Sequence, residues 1–118
     1  MSKAQDPTQF PPLTDLAFNL LVALTGEALH GYALLKELRL RTGRADLRTG
    51  TVYAVLARLQ DDGLIQETRP PSGSKGEDPR RKYYSVTALG VRTAQAEAQR
   101  LREVLRMADA KLSPSGTA

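Results

Sequence analysis

Apolar residues recur at helical spacing in four stretches of the chain. The first, at about residues 13–25, can be capped by Thr14 or Asp15 and is stopped by Gly26. Its main apolar face consists of Leu13, Leu16, Ala17, Leu20, Leu21 and Leu24. Phe18 and Val22 fall on a second face, roughly 130° or more away. Such a helix is either buried on all sides within its own core or touches a second subunit or a bound apolar effector, for which Phe18 and Val22 would form the pocket.

The second and third stretches form a pair around a tight turn. Residues 30–42 predict a helix with Gly31, Leu34, Leu35 and Leu38 on its inner face, ended by Gly43. Its outer face carries Tyr32, Lys36 and Arg39. The first helix of a helix-turn-helix crosses the phosphate backbone, so this stripe is a candidate for phosphate contact, although a solvated face explains it nearly as well. His30, just before the helix, is interpreted as a cap or packing residue rather than a catalytic one.

The third helix begins near Arg48 or Thr49 and ends at Asp62, before Gly63. Its inner face consists of Val52, Val55, Leu56 and Leu59. The opposite ridge is small, with Gly50, Ala54 and Ala57. It is flanked by Thr49, Thr51, Tyr53 and Arg58. This surface lets a helix sit deep in a major groove but offers few bidentate base readers, so we expect phosphates and DNA shape to supply much of the affinity.

Two strands follow, at residues 64–69 and 80–86, joined by a loop rich in proline and glycine. This hairpin is the wing of a winged helix-turn-helix. Its cationic residues Lys75, Arg80, Arg81 and Lys82 suit minor-groove or phosphate contact, whereas Glu77 and Asp78 temper the positive field. The alternative is that the hairpin tip is only solvated and makes no such contact.

A last helix, capped by Thr87, runs to about residue 112. Apolar residues alternate at spacings of three and four, forming a seam of Val91, Ala94, Ala98, Leu101, Leu105, Ala108 and Leu112. At about 37 Å the helix is too long for so small a winged helix to cover. The seam therefore predicts a partner helix, most simply its twin in a two-fold dimer; packing onto the first helix of the same subunit is the alternative, and both can hold at once. Glu97 and Glu103 are interpreted as solvated charges.

Charge is concentrated where such a fold would meet a polyanion. The chain has 118 residues, 41% hydrophobic and 25% charged, with a net charge of +4. Between residues 36 and 82 there are eleven Lys and Arg against seven Asp and Glu, and the remainder holds six of each. The whole excess thus lies on the helix-turn-helix and the wing. Ordinary solubilising charge is the alternative explanation.

Several classes of protein are disfavoured. The chain has no cysteine and one histidine, and no glycine-rich phosphate loop, so no nucleophile-base pair or metal cluster is supported, and we expect neither an enzyme nor a cofactor or metal. The longest apolar stretch, at residues 16–24, is too short for a membrane span, so we expect a cytoplasmic protein. The predicted organisation is a flexible segment (1–12), a winged helix (13–87), a dimerisation helix (88–112) and a flexible tail (113–118).

Four blocks of sequence resemble PadR-like transcriptional regulators of the short-tailed subgroup. They comprise Leu29-His30-Gly31-Tyr32-Ala33-Leu34, Gly50-Thr51-Val52-Tyr53, Leu56-Ala57-Arg58-Leu59 with Gly63-Leu64-Ile65, and Arg81-Lys82-Tyr83-Tyr84-Ser85-Val86-Thr87. The resemblance implies a mainly helical fold with a small β-hairpin and a homodimeric bacterial repressor. It also implies a palindromic operator and release by phenolic or drug-like apolar ligands. By position, it implies DNA contacts from Tyr32, Lys36, Thr51, Tyr53, Lys75 and Arg81.

The chain departs from the pattern of that family in two places. Arg48-Thr49 stands where Ser-Pro is common, and Ala54 where Pro is common; Arg48 is an additional candidate for phosphate contact. The chain also lacks the tryptophan with which some relatives clamp a flat ligand. A DNA-binding regulator is the first hypothesis, and a winged helix used only for protein interaction is the second, which an apolar recognition surface would favour.

Overall fold

A computed structural model describes residues 12–70 and 81–114. Its elements are α1 (Asp15–Leu24), β1 (Leu29–His30), α2 (Gly31–Thr42), α3 (Thr49–Asp61), β2 (Ile65–Thr68), β3 (Tyr83–Val86) and α4 (Ala88–Leu112). The predicted architecture is confirmed, and the helices begin and end within two residues of their predicted limits. The predicted flexible segment (1–12) and tail (113–118) lie mostly outside the described ranges. The wing residues Lys75 and Arg80 lie wholly outside them.

Side chains cap three of the helices. Thr14 accepts from the backbone N–H of Ala17 at 3.1 Å, and His30 Nδ1 accepts from that of Ala33 at 3.2 Å. Thr87 accepts from Gly90 N at 3.0 Å. Each bond satisfies a first-turn donor that has no partner inside its helix. His30 is therefore a cap, one of the two roles expected of it.

The sheet has one strand more than the predicted hairpin. β1 lies beside β3 in the order β1-β3-β2, all antiparallel, with Leu29 opposite Tyr84 and His30 opposite Tyr83. Two residues are too few to show an alternating pattern, so the sequence gives no sign of this strand. β2 and β3 are also shorter than predicted, because Arg81 and Lys82 precede β3 and Leu64 precedes β2.

The core lies around α1, which packs against α2, α3 and the beginning of α4. The predicted inner faces of α1 and α2 are buried, apart from the half-buried Leu13, as is that of α3 apart from the half-buried Val55. Leu47 is also fully enclosed, although it lies in the turn between α2 and α3. Helical periodicity cannot identify such a residue because it belongs to no helix.

The two halves of α4 differ in their surroundings. Its first half packs on the core with four buried residues, Leu89, Gly90, Thr93 and Glu97. The predicted seam borders this face: its Ala94 is half-buried and packs on the core, whereas its large residues Leu101, Leu105 and Leu112 are exposed. The interpretation of Glu97 as a solvated charge is wrong: only 6% of the residue is exposed, because α4 there faces the start of α1. Among the helices of the described ranges, none has the length and hydropathy needed to span a membrane.

Candidate nucleic-acid interface

The turn between α2 and α3 is held by a glycine and an arginine. Gly43 adopts φ +69°, a left-handed conformation that costs glycine little, and ends α2. Arg39 donates from Nε and Nη2 to the carbonyl of Leu47, at 3.1 and 2.8 Å. Two donors of Arg39, a predicted phosphate contact, are thus bonded to the turn. This bond fixes the start of α3 relative to α2.

The outer face of α3 is small and polar. Exposed along it are Thr49, Gly50, Thr51, Tyr53, Ala54, Ala57 and Arg58. A Cβ added at Gly50 would have no neighbour within 4 Å, so the ridge is open at the beginning of the helix. Arg48 occupies the N-cap position without a side-chain capping bond and is exposed. The ridge has the low relief that close approach to a groove floor requires.

Tyr53 joins α3 to the beginning of α2. Gly31 is buried, and a Cβ there would collide with the hydroxyl and ring of Tyr53. Glycine at position 31 therefore lets the Tyr53 ring lie directly against the α2 backbone. Tyr53 is still 45% exposed, so one side of its ring remains accessible.

Tyr84, on β3, lies in the same neighbourhood and keeps its proton. Burial raises the pKa of its hydroxyl, and the negative charge of Glu67 and the nearby Tyr53 raise it further. A protonated hydroxyl can donate a hydrogen bond to an anion. The Tyr84 hydroxyl, protonated at neutral pH like that of any tyrosine, is a potential donor.

The outer stripe of α2 is continuous with this region. The Lys36 ammonium lies 5.6 Å from the centroid of the Tyr32 ring, within cation–π distance. Both residues are exposed. The Lys36 ammonium and the Tyr32 ring therefore lie side by side on the exposed face of α2.

Arg81 and Lys82, at the base of the wing, have different partners. Arg81 Nη1 lies 3.1 Å from His30 Nε2, and the His30 ring packs edge-on against Tyr83, with centroids 5.2 Å apart. Lys82 Nζ lies 3.7 Å from a carboxylate oxygen of Glu67 on β2. Glu67 therefore offsets part of the Lys82 charge. Arg81 is directed toward the start of α2.

These elements enclose a cleft of about 390 Å³. It is lined by His30, Gly31, Tyr32, Tyr53, Arg81, Lys82 and Tyr84. Four of the predicted DNA-contact residues, Tyr32, Tyr53, Arg81 and Lys82, meet there. His30, Gly31 and Tyr84 were not predicted for it, because the packing of α2 on α3 and the pairing of β1 with β3 bring them together. The cleft combines a helix N-terminus, two cations and hydroxyl donors, which together suit an anion.

The remaining predicted residues lie elsewhere. Phe18 is half-buried and Val22 is 37% exposed on α1. They do not line the groove of about 360 Å³ that lies between the beginning of α1 and α3. Within the described ranges, no group of three or more His, Cys, Asp or Glu residues could hold a metal ion.

Comparison with known proteins gives a consistent result. The chain is similar to a PadR-like transcriptional regulator from Bacillus cereus, at 28% identity and TM-score 0.70, over 83% of this chain and 91% of that one. It is also similar to a PadR family transcription regulator from Clostridium difficile, at 25% identity and TM-score 0.69, over 85% of this chain and 100% of that one. No curated protein sequence matches the chain.

The family model for the transcriptional regulator PadR-like family matches residues 20–96. That range runs from within α1 into the first half of α4 and includes the helix-turn-helix, the wing and the cleft. Proteins of this family are DNA-binding transcriptional regulators rather than enzymes. The chain belongs to the PadR-like family of transcriptional regulators.

Proposed function

We propose that the protein is a homodimeric repressor that binds a two-fold symmetric operator and is released by a small apolar or phenolic effector. The observation that carries the proposal is the cleft between α2, α3 and the wing. It gathers Arg81, Lys82 and the hydroxyls of Tyr53 and Tyr84 beside the start of α2, next to the open ridge of α3. A backbone phosphate in the cleft would position that ridge against the groove floor.

The DNA-binding surface divides into positioning and reading parts. Tyr32, Lys36, Arg81 and Lys82, with Lys75, Arg80 and Arg48, would contact phosphates and supply affinity without sequence preference. Thr49, Thr51 and Arg58 stand on α3 where side chains would reach base edges. Arg39 and Tyr53 would act mainly by holding α3 in place, since each already contacts another part of the protein.

Dimerisation would use the seam of α4. The seam leucines Leu101, Leu105 and Leu112 are 39%, 61% and 76% exposed, large values for leucines on one helix face. Only the early part of the seam, at Ala94, packs on the core, so the part from Leu101 to Leu112 could pair with a twin helix without disturbing the subunit fold. Two winged helices joined in this way, which we call the heads of the dimer, could enter major grooves one helical turn apart, about 34 Å.

An effector would act by shifting the population of dimers between two arrangements of the heads. Phe18 and Val22 offer an apolar surface on α1 for such a ligand, together with the seam helix. Because a ligand that binds the folded dimer raises its melting temperature, a thermal-shift screen of phenolic and drug-like compounds tests this part. A Val22→Asp variant that keeps the shift of a hit compound would remove Val22 from the pocket.

Fluorescence anisotropy titrations with duplex DNA upstream of the protein's own gene test DNA binding, with light scattering for stoichiometry. If about eight phosphates are neutralised per dimer, the slope of log affinity against log salt is about −7. Affinity that does not change with salt, or binding of one chain per duplex, would contradict the proposal. A protein that binds no duplex at all would instead support the protein-interaction hypothesis.

The cleft is tested by replacing Arg81 and Lys82 with alanine. We expect weaker binding to operator and random DNA alike, and a slope flatter by about 3 to 4, because four phosphate contacts per dimer are lost. The matched control is Arg92→Ala with Arg106→Ala, which removes two positive charges from exposed positions of α4. Equal losses in both variants would mean that net charge, rather than the cleft, accounts for binding.

A further inference from the structure

Thr87 belongs to the wing and to α4 at the same time. Its N–H donates to the carbonyl of Leu64 at 3.0 Å, which continues the β2–β3 ladder one residue beyond the pair Ile65 and Val86. Its hydroxyl shares its one proton between the carbonyls of Gly63 and Leu64, at 2.7 and 3.1 Å, and accepts from Gly90 N at 3.0 Å. One side chain thus connects the end of the sheet to the first turn of α4.

Gly90 brings α4 against the same carbonyl. A Cβ at this position would collide with the Leu64 oxygen and lie 2.7 Å from Val86 Cγ2. The Leu64 carbonyl is backbone, so it cannot move aside as a flexible side chain could. Any residue larger than glycine at position 90 must therefore shift α4 relative to the sheet.

The end of α3 is attached to the same point. Leu64 N donates to the carbonyl of Leu59 at 2.9 Å, and Gly63, at φ +77°, donates to that of Gln60 at 3.0 Å. The last turn of α3, the start of β2 and the start of α4 therefore meet within one hydrogen-bonded junction, which we define as Gly63, Leu64, Thr87 and Gly90.

We propose that Thr87 and Gly90 are positioning residues that set the angle between α4 and α3, and through it the separation of the two recognition helices. The inference rests on the proposed dimer. The seam that would join the two copies lies on α4, whereas the reading surface lies on α3. The junction is the hydrogen-bonded link between them. A change in the tilt of α4 at Gly90 would then be carried along the whole length of the helix.

A small change in this tilt displaces the far end of α4 by a large distance. A helix of 25 residues is about 37 Å long, so a tilt of about 10° at its first turn displaces the far end by about 6 Å. Because successive base pairs are about 3.4 Å apart, this displacement corresponds to about two base pairs. A small change at the junction would therefore alter which half-site spacing the dimer prefers.

The absence of cysteine from the chain allows a direct measurement. Gln60→Cys places one spin label on the exposed end of α3, giving one label-to-label distance per dimer by pulsed electron–electron double resonance. In this background, Gly90→Ala is expected to shift the distance by about 3 Å or more. Ala88→Ser is the matched control, because it adds one heavy atom at an exposed position of the same turn.

The second pair of variants is Thr87→Ser and Thr87→Val. Serine keeps the hydroxyl that bonds Gly63, Leu64 and Gly90, whereas valine keeps the shape and loses it. We expect the serine variant to reproduce the wild-type distance distribution and the valine variant to broaden or shift it. On duplexes selected by the wild type, with spacing varied in single base-pair steps, the valine variant should lose its preference for one spacing while keeping salt-dependent binding.

The outcomes separate this inference from the proposed function. A wild-type protein that stays monomeric by light scattering, with no dipolar coupling between the labels of the Gln60→Cys protein, overturns the dimer and this inference with it. A dimer whose distance and spacing preference are the same in Gly90→Ala and Thr87→Val as in the controls keeps the proposed function and overturns the inference alone. If Gly90→Ala does not fold by circular dichroism, the serine and valine pair decides the question.

Discussion

The two halves of α4 contain the same kind of ion pair in opposite environments. Each contains an Arg–Glu pair three residues apart, with Nε and Nη2 of the arginine bonded to the two carboxylate oxygens of the glutamate. The Glu97 side chain in the first half is 6% exposed, whereas that of Glu103 in the second half is 53% exposed. The same ion pair thus has a buried carboxylate in the first half of α4 and an exposed one in the second half.

The apolar residues show the same contrast. Leu89 is buried against the core, whereas Leu101 and Leu105 are exposed in a single chain. The first half of α4 therefore stabilises the subunit, and the second half is available for association. Substitutions in the two halves should separate these roles.

The largest effect is expected from Leu101→Glu with Leu105→Glu. Two charges on the seam would prevent helix pairing because they would be desolvated without partners. Duplex affinity should fall by about 10²- to 10⁴-fold, since the second head no longer binds as part of the same molecule. Light scattering measures the loss of the dimer, and anisotropy measures the loss of duplex affinity. The melting curve of the variant, measured on the diluted monomer, is the control for folding. A double variant that remains dimeric would place the interface elsewhere.

Next in size is Leu89→Ala, in the half of α4 that packs on the core. Removing this buried side chain leaves a cavity and should lower the free energy of unfolding by about 2 to 3 kcal/mol. Chemical denaturation measures this free energy, at protein concentrations where subunit association is the same for variant and wild type. At denaturant concentrations below the unfolding transition, the variant should keep the mass of a dimer. A loss under 1 kcal/mol would show that the first half of α4 contributes little to the core.

The smallest effects come from the paired carboxylates, and they depend on pH. The Arg100 hydrogen bond holds the pKa of Glu97 below its ordinary value of 4.5, against the opposing effect of burial. The attraction of the Arg100 charge and a hydrogen bond from the Leu13 backbone add to the lowering. The stabilisation from Glu97 is therefore complete above pH 4.5 and is lost as pH falls through the lower folded-state pKa.

Glu97→Gln should accordingly cost about 1 kcal/mol at neutral pH, and its difference from the wild type should shrink below pH 4.5. Glu103→Gln should cost only a few tenths of a kcal/mol, because its ion pair is exposed. Denaturation midpoints at pH 7 and pH 3 measure both. Equal costs for the two variants would mean that burial of Glu97 adds nothing to its pair.

Most of the secondary structure could be predicted from the sequence because helices follow local rules. The leucines of α1 and α2 recur at helical spacing, and Thr14, Gly43 and Thr87 are residue types that favour helix ends. The positive charge of the wing and the stripe of α2 were also evident. A two-residue strand such as β1 lies below the length at which any pattern can be recognised.

The interface was predicted only in part, because its residues come together from distant parts of the chain. Tyr32, Lys36, Tyr53 and Arg81 could be proposed from their places in the helix-turn-helix and wing. The contact of Tyr53 with Gly31, and that of Arg81 with His30, depend on how α2, α3 and β3 pack. Likewise, the bonds of Arg39 to Leu47 could not be read from a helical stripe.

The sequence by itself determined which segments are helices, which faces of them are apolar, and where positive charge accumulates, since these depend on neighbours within a few residues. Only the tertiary structure decided that Glu97 is buried, that Leu101, Leu105 and Leu112 of the α4 seam stay exposed, and that Gly90 and Thr87 meet the Leu64 carbonyl. The reason is physical. Burial and hydrogen bonding between elements depend on the angle at which the helices and strands pack, and residues far apart in sequence set that angle together.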